Sequence, residues 1–418
     1  MNGATVRLAD LCELIREPIK PGARPDDLYL GLEHLVSGQL VRTGGGQASE
    51  MRSTTSAFQS GDVLYGKLRP YLDKAVLADE AGVCTTELLV LRAKADVNPR
   101  FLAAVVHSSD FVEYAVAGTT GVQHPRTSWS HIREFEVSAF TLDEQQRIAD
   151  LIWLVHEAAS RSEALVKEGQ ALKRAAMQIL FTRGLRGEAQ KETEIGPAPA
   201  SWDVVHLGAL GRIGNGSTPR KATPEYWTGG TYPWLTSAKV YDRNIVEADQ
   251  FVTEFALAEC HLPRIKPGAV LIAITGQGKT LGHCAVLDIE ATINQHLAYV
   301  EVDSTIAHPS FVRGYLETQY DFFRQVGASG GSTKGALTCA FLRSFPIPLP
   351  SVLDEQREIV SILDAIDRKI DLHRRKRAVL DDLFKALLHK LMTREIRMGD
   401  LDLSRIEERD PATKQVSE

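Results

Sequence analysis

Apolar side chains in the last quarter of the chain recur at alternating steps of four and three: Ile359, Leu363, Ile366, Ile370, His373, Arg377, Leu380, Phe384, Leu387 and Leu391. That is the spacing of a coiled-coil seam, and its two polar members, His373 and Arg377, sit mid-seam, where such residues fix register rather than add stability. In a second, earlier helix Ile148, Ile152, Val155 and Ala159 keep the period while Ser162, Gly169 and Lys173 break it. A neighbouring line, Leu151, Val155, Ala158, Leu165, Leu172, Ala176 and Ile179, is equally good, so this helix is expected to have more than one neighbour. Forty residues make a rod of about 60 Å, and the simplest way to bury each stripe is against the other helix. A pair of core helices in a bundle is the competing reading, which the charged run 368–377 disfavours by narrowing the apolar face.

The two helices are copies. Leu142-Asp143-Glu144-Gln145 recurs as Leu353-Asp354-Glu355-Gln356, and the offset holds without a gap across 142–186 and 353–397, with eleven identities. Upstream the correspondence continues with small slips: Pro99-x-Phe101 answers Pro309-x-Phe311, Gly61-x-Val63-Leu64 answers Gly268-x-Val270-Leu271, and Val6-x-Leu8 answers Val205-x-Leu207. The chain is therefore read as one plan used twice, a sign to be sought before any local motif. Short apolar runs at 62–65, 88–91, 270–275 and 297–302 predict strands, and 101–115 and 309–326 predict helices between them. Each lobe is then α+β, and the predicted order is a first lobe at 1–140, a helix at 141–186, an exposed Gly- and Pro-rich linker at 187–200, a second lobe at 201–350, a helix at 351–397 and an acidic tail at 398–418.

Composition narrows the class without deciding it. With 418 residues, 44% of them apolar, there is material for two or three cored domains. The apolar runs are too short to span a bilayer, and Arg7, Asp10 and Glu13 interrupt the start, so neither a membrane partner nor a signal peptide is expected and the expected address is cytoplasmic. The net charge of −6 argues weakly against a polyanionic partner, but the tail carries −3 and the linker −2, leaving the rest close to neutral. Five scattered cysteines, Cys12, Cys84, Cys260, Cys284 and Cys339, form no Cys-x-x-Cys pair and fit reduced thiols rather than a zinc site. No metal site is expected.

Most candidate chemistry fails on its context. Thr275-Gly276-Gln277-Gly278-Lys279-Thr280 imitates a phosphate-binding P-loop, but Ala273 stands where its first glycine belongs and a β-like run follows instead of a helix. The better reading is a loop between strands presenting Gln277 and Lys279. His283 and His296 lack metal partners at ligand spacing, and no nucleophile elbow or cofactor turn occurs, so no catalytic residue is assigned. Binding residues fare better. Gly66-Lys67-Leu68-Arg69-Pro70-Tyr71-Leu72-Asp73-Lys74 offers three cations and an aromatic just after a strand, and a plain solvated turn is the alternative. The loop at 119–129, with Gln123, His124, Arg126 and Ser128, and its counterpart at 329–335, with Ser332 and Lys334, carry the side chains that read base edges and phosphates, or are ordinary surface loops.

The ordered parts, Gly61-Asp62-Val63-Leu64-Tyr65-Gly66-Lys67-Leu68-Arg69-Pro70-Tyr71, Gly268-Ala269-Val270-Leu271-Ile272-Ala273, and Pro346-Ile347-Pro348-Leu349-Pro350 leading into Leu353-Asp354-Glu355-Gln356, resemble the specificity subunit of type I restriction-modification systems. Ser138-Ala139-Phe140-Thr141 departs from the proline-rich lead-in usual there. The resemblance implies two target recognition domains joined by two long antiparallel coiled-coil helices. Each lobe would read one half of a bipartite, asymmetric double-stranded DNA site, with the helices as a ruler. Lys67, Arg69 and Lys74 would hold phosphates; Gln123, His124, Arg126 and Ser128 in lobe one, and Gln277, Lys279, Ser332 and Lys334 in lobe two, would read or position. The resemblance places catalysis on partners: two methyltransferase subunits using S-adenosylmethionine, which the second stripe of the first helix would dock, and a restriction and translocase subunit using ATP and magnesium. This chain would carry no cofactor. A coiled-coil scaffold that never touches DNA is the main rival, and an enzyme with a duplicated active site is the second.

Overall fold

A computed structural model of the chain describes residues 4–276, 279–329 and 336–401. The chain forms two compact units: one takes the residues up to Leu165 and from His373 onward, the other Val166–Leu372. Each unit therefore owns one lobe and half of each long helix.

In the first unit the main sheet runs in the order Cys12–Ile15, Leu88–Ala93, Val63–Gly66, Ala75–Leu77. All neighbours are antiparallel, with Val90 opposite both Ile15 and Leu64. Helix Pro99–Val106 lies on this sheet and buries every residue from Phe101 to Val106. A five-stranded sheet, Pro18–Ile19, Thr55–Phe58, Gly82–Thr85, Leu28–Leu30 and Gly46–Gln47, completes the lobe. The second unit repeats the plan: Gly211–Asn215, Leu297–Val302, Ala269–Ala273 and Cys284–Leu287 stand in the same order, extended by an edge strand, Asn244–Ile245. Helix Pro309–Thr318 packs on it, as its counterpart does in lobe one. The single helices expected at 101–115 and 309–326 are each two. In the first, the Ser108 hydroxyl accepts the Phe111 amide and so caps a new start, Ser109–Ala117.

The long helices are Leu142–Arg183 and Leu353–Met392. In the first unit Ile148, Ile152 and Val155 share a core with Leu388, Leu391 and Met392. In the second, Met177, Leu180 and Phe181 share one with Ile359, Val360 and Leu363. The beginning of one helix thus meets the end of the other, and they pack antiparallel. Residues that break the apolar period are seam residues all the same. Ser162 is buried with its hydroxyl on the Ala158 carbonyl. A Cβ on Gly169 would lie 2.7 Å from Ile370 Cγ1, so the helices approach closely there. Lys173 holds Asp367 at 3.1 Å and Glu317 at 2.6 Å. Leu172 and Ile179 of the second stripe stay 58% and 55% exposed.

The repeated Glu-Gln pair has a physical explanation. Gln145 is buried, accepts the Asn98 amide at 2.9 Å and donates to the Phe140 carbonyl at 3.1 Å. Gln356, wholly buried, accepts the His308 amide at 2.7 Å and donates to the Pro350 carbonyl at 3.0 Å and the Ile306 carbonyl at 3.3 Å. Asn98 and His308 are the N-cap residues of the helices lying on the two main sheets. Each glutamine therefore pins a lobe to the start of its own long helix. Of the preceding acids, one acts locally and the other at long range. Glu144 accepts the Thr141 amide at 2.8 Å, and Glu355 accepts the Trp202 indole at 3.2 Å.

The stretch expected as an exposed linker is a hairpin instead. Gln190–Thr193 pairs with Gly196–Pro199, Gly196 turns with φ 89°, the Thr193 hydroxyl bonds the Gly196 carbonyl at 2.6 Å, and Ala198 and Pro199 are buried. Glycine and proline punctuate tight hairpins as well as linkers, and here a local hydroxyl closes the turn.

Candidate nucleic-acid interface

Because Val63–Gly66 and Leu88–Ala93 pair antiparallel, the loop after the first and the residues before the second meet at one sheet end. Lys67 follows the first strand and its amide donates to the Glu87 carbonyl at 3.0 Å. The loop at 119–128 closes over the same end. Leu68 bridges Arg126, the Thr127 amide donates to the Lys67 carbonyl at 3.0 Å, and the Arg69 amide donates to the Pro125 carbonyl at 2.7 Å. Seven sequence candidates thus lie on adjoining segments. Gln123, His124, Arg126 and Ser128 are exposed, and Lys67, Arg69 and Lys74 are half-buried.

Their side chains differ in how they are held. Arg126 pairs with Glu87 at 3.0 Å, and Ser128 bonds Ser130 at 2.9 Å. Arg69 takes a left-handed backbone, φ 51°, starts the short turn Pro70–Leu72, and reaches the Gln123 carbonyl at 3.4 Å. Asp73 ends that turn, also left-handed, and its carboxylate meets Nδ1 of the buried His107 at 2.7 Å. Lys74 donates to the Leu32 carbonyl at 2.6 Å, so its cation is anchored in the lobe.

The corresponding end of the second sheet has the same construction. Thr275 bridges Ala336, as Leu68 bridges Arg126, and the Leu337 amide donates to the Ile274 carbonyl, as that of Thr127 does to Lys67. Lys279 is exposed, and its carbonyl accepts the Tyr320 hydroxyl at 2.6 Å. Gln277, Ser332 and Lys334 lie outside the described residues. Strand Cys284–Leu287, not a helix, follows this loop, so the P-loop likeness ends there. His283 sits between Tyr241 and Tyr320, ring centroids 4.8 and 4.6 Å away, and burial pushes its imidazole below the usual range.

Sequence reasoning missed part of this rim. The Thr218 hydroxyl donates to Gln295, whose amide lies 3.3 Å from His296 Nε2, and His296 Nδ1 lies 2.5 Å from the Thr275 hydroxyl. Arg220 and Lys221 follow Thr218 on the same loop. Their signal was available in Ser217-Thr218-Pro219-Arg220-Lys221, a polar, cationic run directly after a strand. The arrangement is one of donors, acceptors and planar or cationic tips, which suits recognition of base edges and phosphates. Burial lifts the Cys12, Cys84 and Cys284 thiols to about 12, far from nucleophilic use. No cluster of three metal-ligating side chains occurs among the described residues, and no helix among them is long and apolar enough to cross a membrane.

Residues 199–382 match the family model described as a type I restriction modification DNA specificity domain. The chain is 29% identical over 216 residues to the specificity subunit of type I restriction enzyme MjaIX from Methanocaldococcus jannaschii, a match covering 50% of this chain and about half, 48%, of that protein. Two solved structures share the fold. One is the S subunit of a type I restriction-modification system from M. genitalium, at 17% identity and TM-score 0.61, with 94% of this chain and 96% of that one covered. The other comes from work on assembly and conformational transition of the type I R-M system, at 22% identity and TM-score 0.57, with 95% and 99% covered.

Proposed function

We propose that this chain, similar over residues 199–382 to type I restriction modification DNA specificity domains, recognises a bipartite double-stranded DNA sequence on behalf of catalytic partners. The observation that carries the reading is the repeated sheet end. Both lobes close it with matching backbone bridges, yet the described residues there differ, Arg126 against Ala336 and Glu87 against His296. One scaffold with two chemistries is what two unlike half-sites require. Lys67 and Arg69 hold phosphates, Lys74 braces their loop, and Gln123, His124, Arg126 and Ser128 read or position bases in one half-site. Lys279, with Gln277, Ser332 and Lys334, serves the other.

The long helices act as the ruler between halves, and the exposed Leu172 and Ile179 offer an apolar face to a methyltransferase subunit. Two such subunits bring S-adenosylmethionine, and a restriction and translocase subunit brings ATP and magnesium. This chain contributes recognition and no catalytic step. The test is binding by the full chain assembled with its methyltransferase partner. Affinity should fall steeply with salt, because phosphate contacts release counterions. Lys67→Ala with Arg69→Ala should weaken all sequences alike, whereas Arg126→Ala should relax preference in one half-site. Mapping methylated adenines should give a split, asymmetric site, and a continuous or self-complementary one refutes the reading.

A further inference from the structure

At the sheet end of the second lobe the arch at 216–221 is firmly built. A Cβ on Gly216 would lie 1.8 Å from the Ile293 carbonyl oxygen, so only glycine fits, and the Ser217 amide donates to that same oxygen at 3.1 Å. Two indoles hold the arch from below: Trp234 donates to the Ser217 carbonyl and Trp227 to the Arg220 carbonyl, each at 3.2 Å. Pro219 between them is buried. The Lys221 ammonium lies 4.5 Å from the Trp227 ring centroid and 5.3 Å from that of Trp234, and donates to Gln250 at 3.2 Å. Arg220 at the crown is exposed, and its guanidinium has no hydrogen bond or ion pair among the described residues.

A rigid loop loses little conformational freedom on binding, and a cation displayed on one is preorganised for a partner. Phosphate sites need donors alone, whereas this arch carries Thr218 and adjoins Gln295, which both donate and accept, the mixture that base edges require. In lobe one the segment following Cys12–Ile15 instead holds its Arg24 against Glu17 at 3.0 Å. Resting on the DNA-recognition reading above, we propose that the arch is a sequence-reading element of lobe two, with Arg220 contacting a base edge and Trp227, Trp234 and Lys221 positioning it.

The experiment measures binding of the full chain with its methyltransferase partner to duplexes carrying the site mapped from methylated adenines, each base pair of both halves substituted in turn. Arg220→Ala should lose about 10- to 100-fold on the mapped site. The loss should vanish when one or two particular base pairs of a single half-site are already substituted. Arg220→Lys, which keeps the charge but not the planar fork, should behave like Arg220→Ala. Trp227→Phe should reduce discrimination at those same positions while leaving the salt slope unchanged. A uniform loss rescued by lysine would make Arg220 a phosphate contact and overturn the assignment. Unchanged binding by Arg220→Ala beside salt-dependent wild-type binding would overturn the arch alone, and a wild type that ignores DNA would overturn the underlying reading with it.

Discussion

Replacing Gln356 by leucine removes one buried side chain and leaves three backbone groups without partners: the His308 amide and the carbonyls of Pro350 and Ile306. Each buried orphan costs about 1–3 kcal/mol, and the two carbonyls keep a second lone pair through which to recover part of theirs. Burial of the leucine returns about 1–2 kcal/mol, so the net loss is about 3 kcal/mol. Gln145→Leu orphans one amide and one carbonyl, so it should cost about one group less, roughly 2 kcal/mol.

Two units in one chain invite local unfolding, so the assay is hydrogen exchange read by peptide. Gln356→Leu should deprotect the start of helix Pro309–Thr318 and leave Pro99–Val106 as in wild type, and Gln145→Leu should do the reverse. Gln356→Glu keeps the acceptor but turns a carboxylate toward two carbonyls, and should be at least as damaging as leucine. Equal protection in wild type and Gln356→Leu, or a larger effect from Gln145→Leu, would refute the account of why Glu-Gln is repeated.

Lys173→Met leaves Asp367 and Glu317 to Arg243 and Arg313 alone, in a half-buried charge network. It should destabilise the second unit by about 2 kcal/mol in urea unfolding, because charge-assisted hydrogen bonds are lost while each acid keeps an arginine. A change under about 0.5 kcal/mol would show the pair to be dispensable. Burial, with His107 nearby, holds the His156 imidazole below its usual range, against a smaller upward pull from Asp381. As pH falls through about 6.5 the unfolded chain takes that proton first, so stability should decline from neutral pH downward. Thermal melts at pH 8 and pH 5.5 should show a smaller difference in His156→Leu than in wild type, and an equal difference would remove His156 from the account. Inserting one heptad into both long helices should change the tolerated gap between half-sites without altering either half, and an unchanged gap would discard the ruler.

What the sequence made legible was whatever repeats at short range. Seam spacing needs only residues three and four apart, so Ile359 through Leu391 announced a helix and its buried face. Beyond the eleven identities of the helix copies, upstream matches such as Gly61-x-Val63-Leu64 with Gly268-x-Val270-Leu271 announced a duplicated lobe, and strand order bears that out. What stayed hidden depends on partners distant in the chain. Lys173 looks like a fault in the seam until Asp367 is brought to 3.1 Å. Ser217-Thr218-Pro219-Arg220-Lys221 looks like any polar turn until two indoles from farther along seize its carbonyls.

The duplication also sharpens what its departures mean. Lys173 and Asp367 of the second unit correspond, by the constant offset, to Phe384 and His156 of the first. Where one unit pairs charges, the other sets rings 6.1 Å apart. Mixing the pairs would bury Asp367 against Phe384 or Lys173 against His156, leaving a charge unmatched, so each helix half is complementary to its own partner and poorly suited to a copy of itself. The proposed reading of two different half-sites needs the two lobes to be distinguishable. The same logic that separates Arg126 from Ala336 at the sheet ends separates the ionic from the aromatic crossing at the seam.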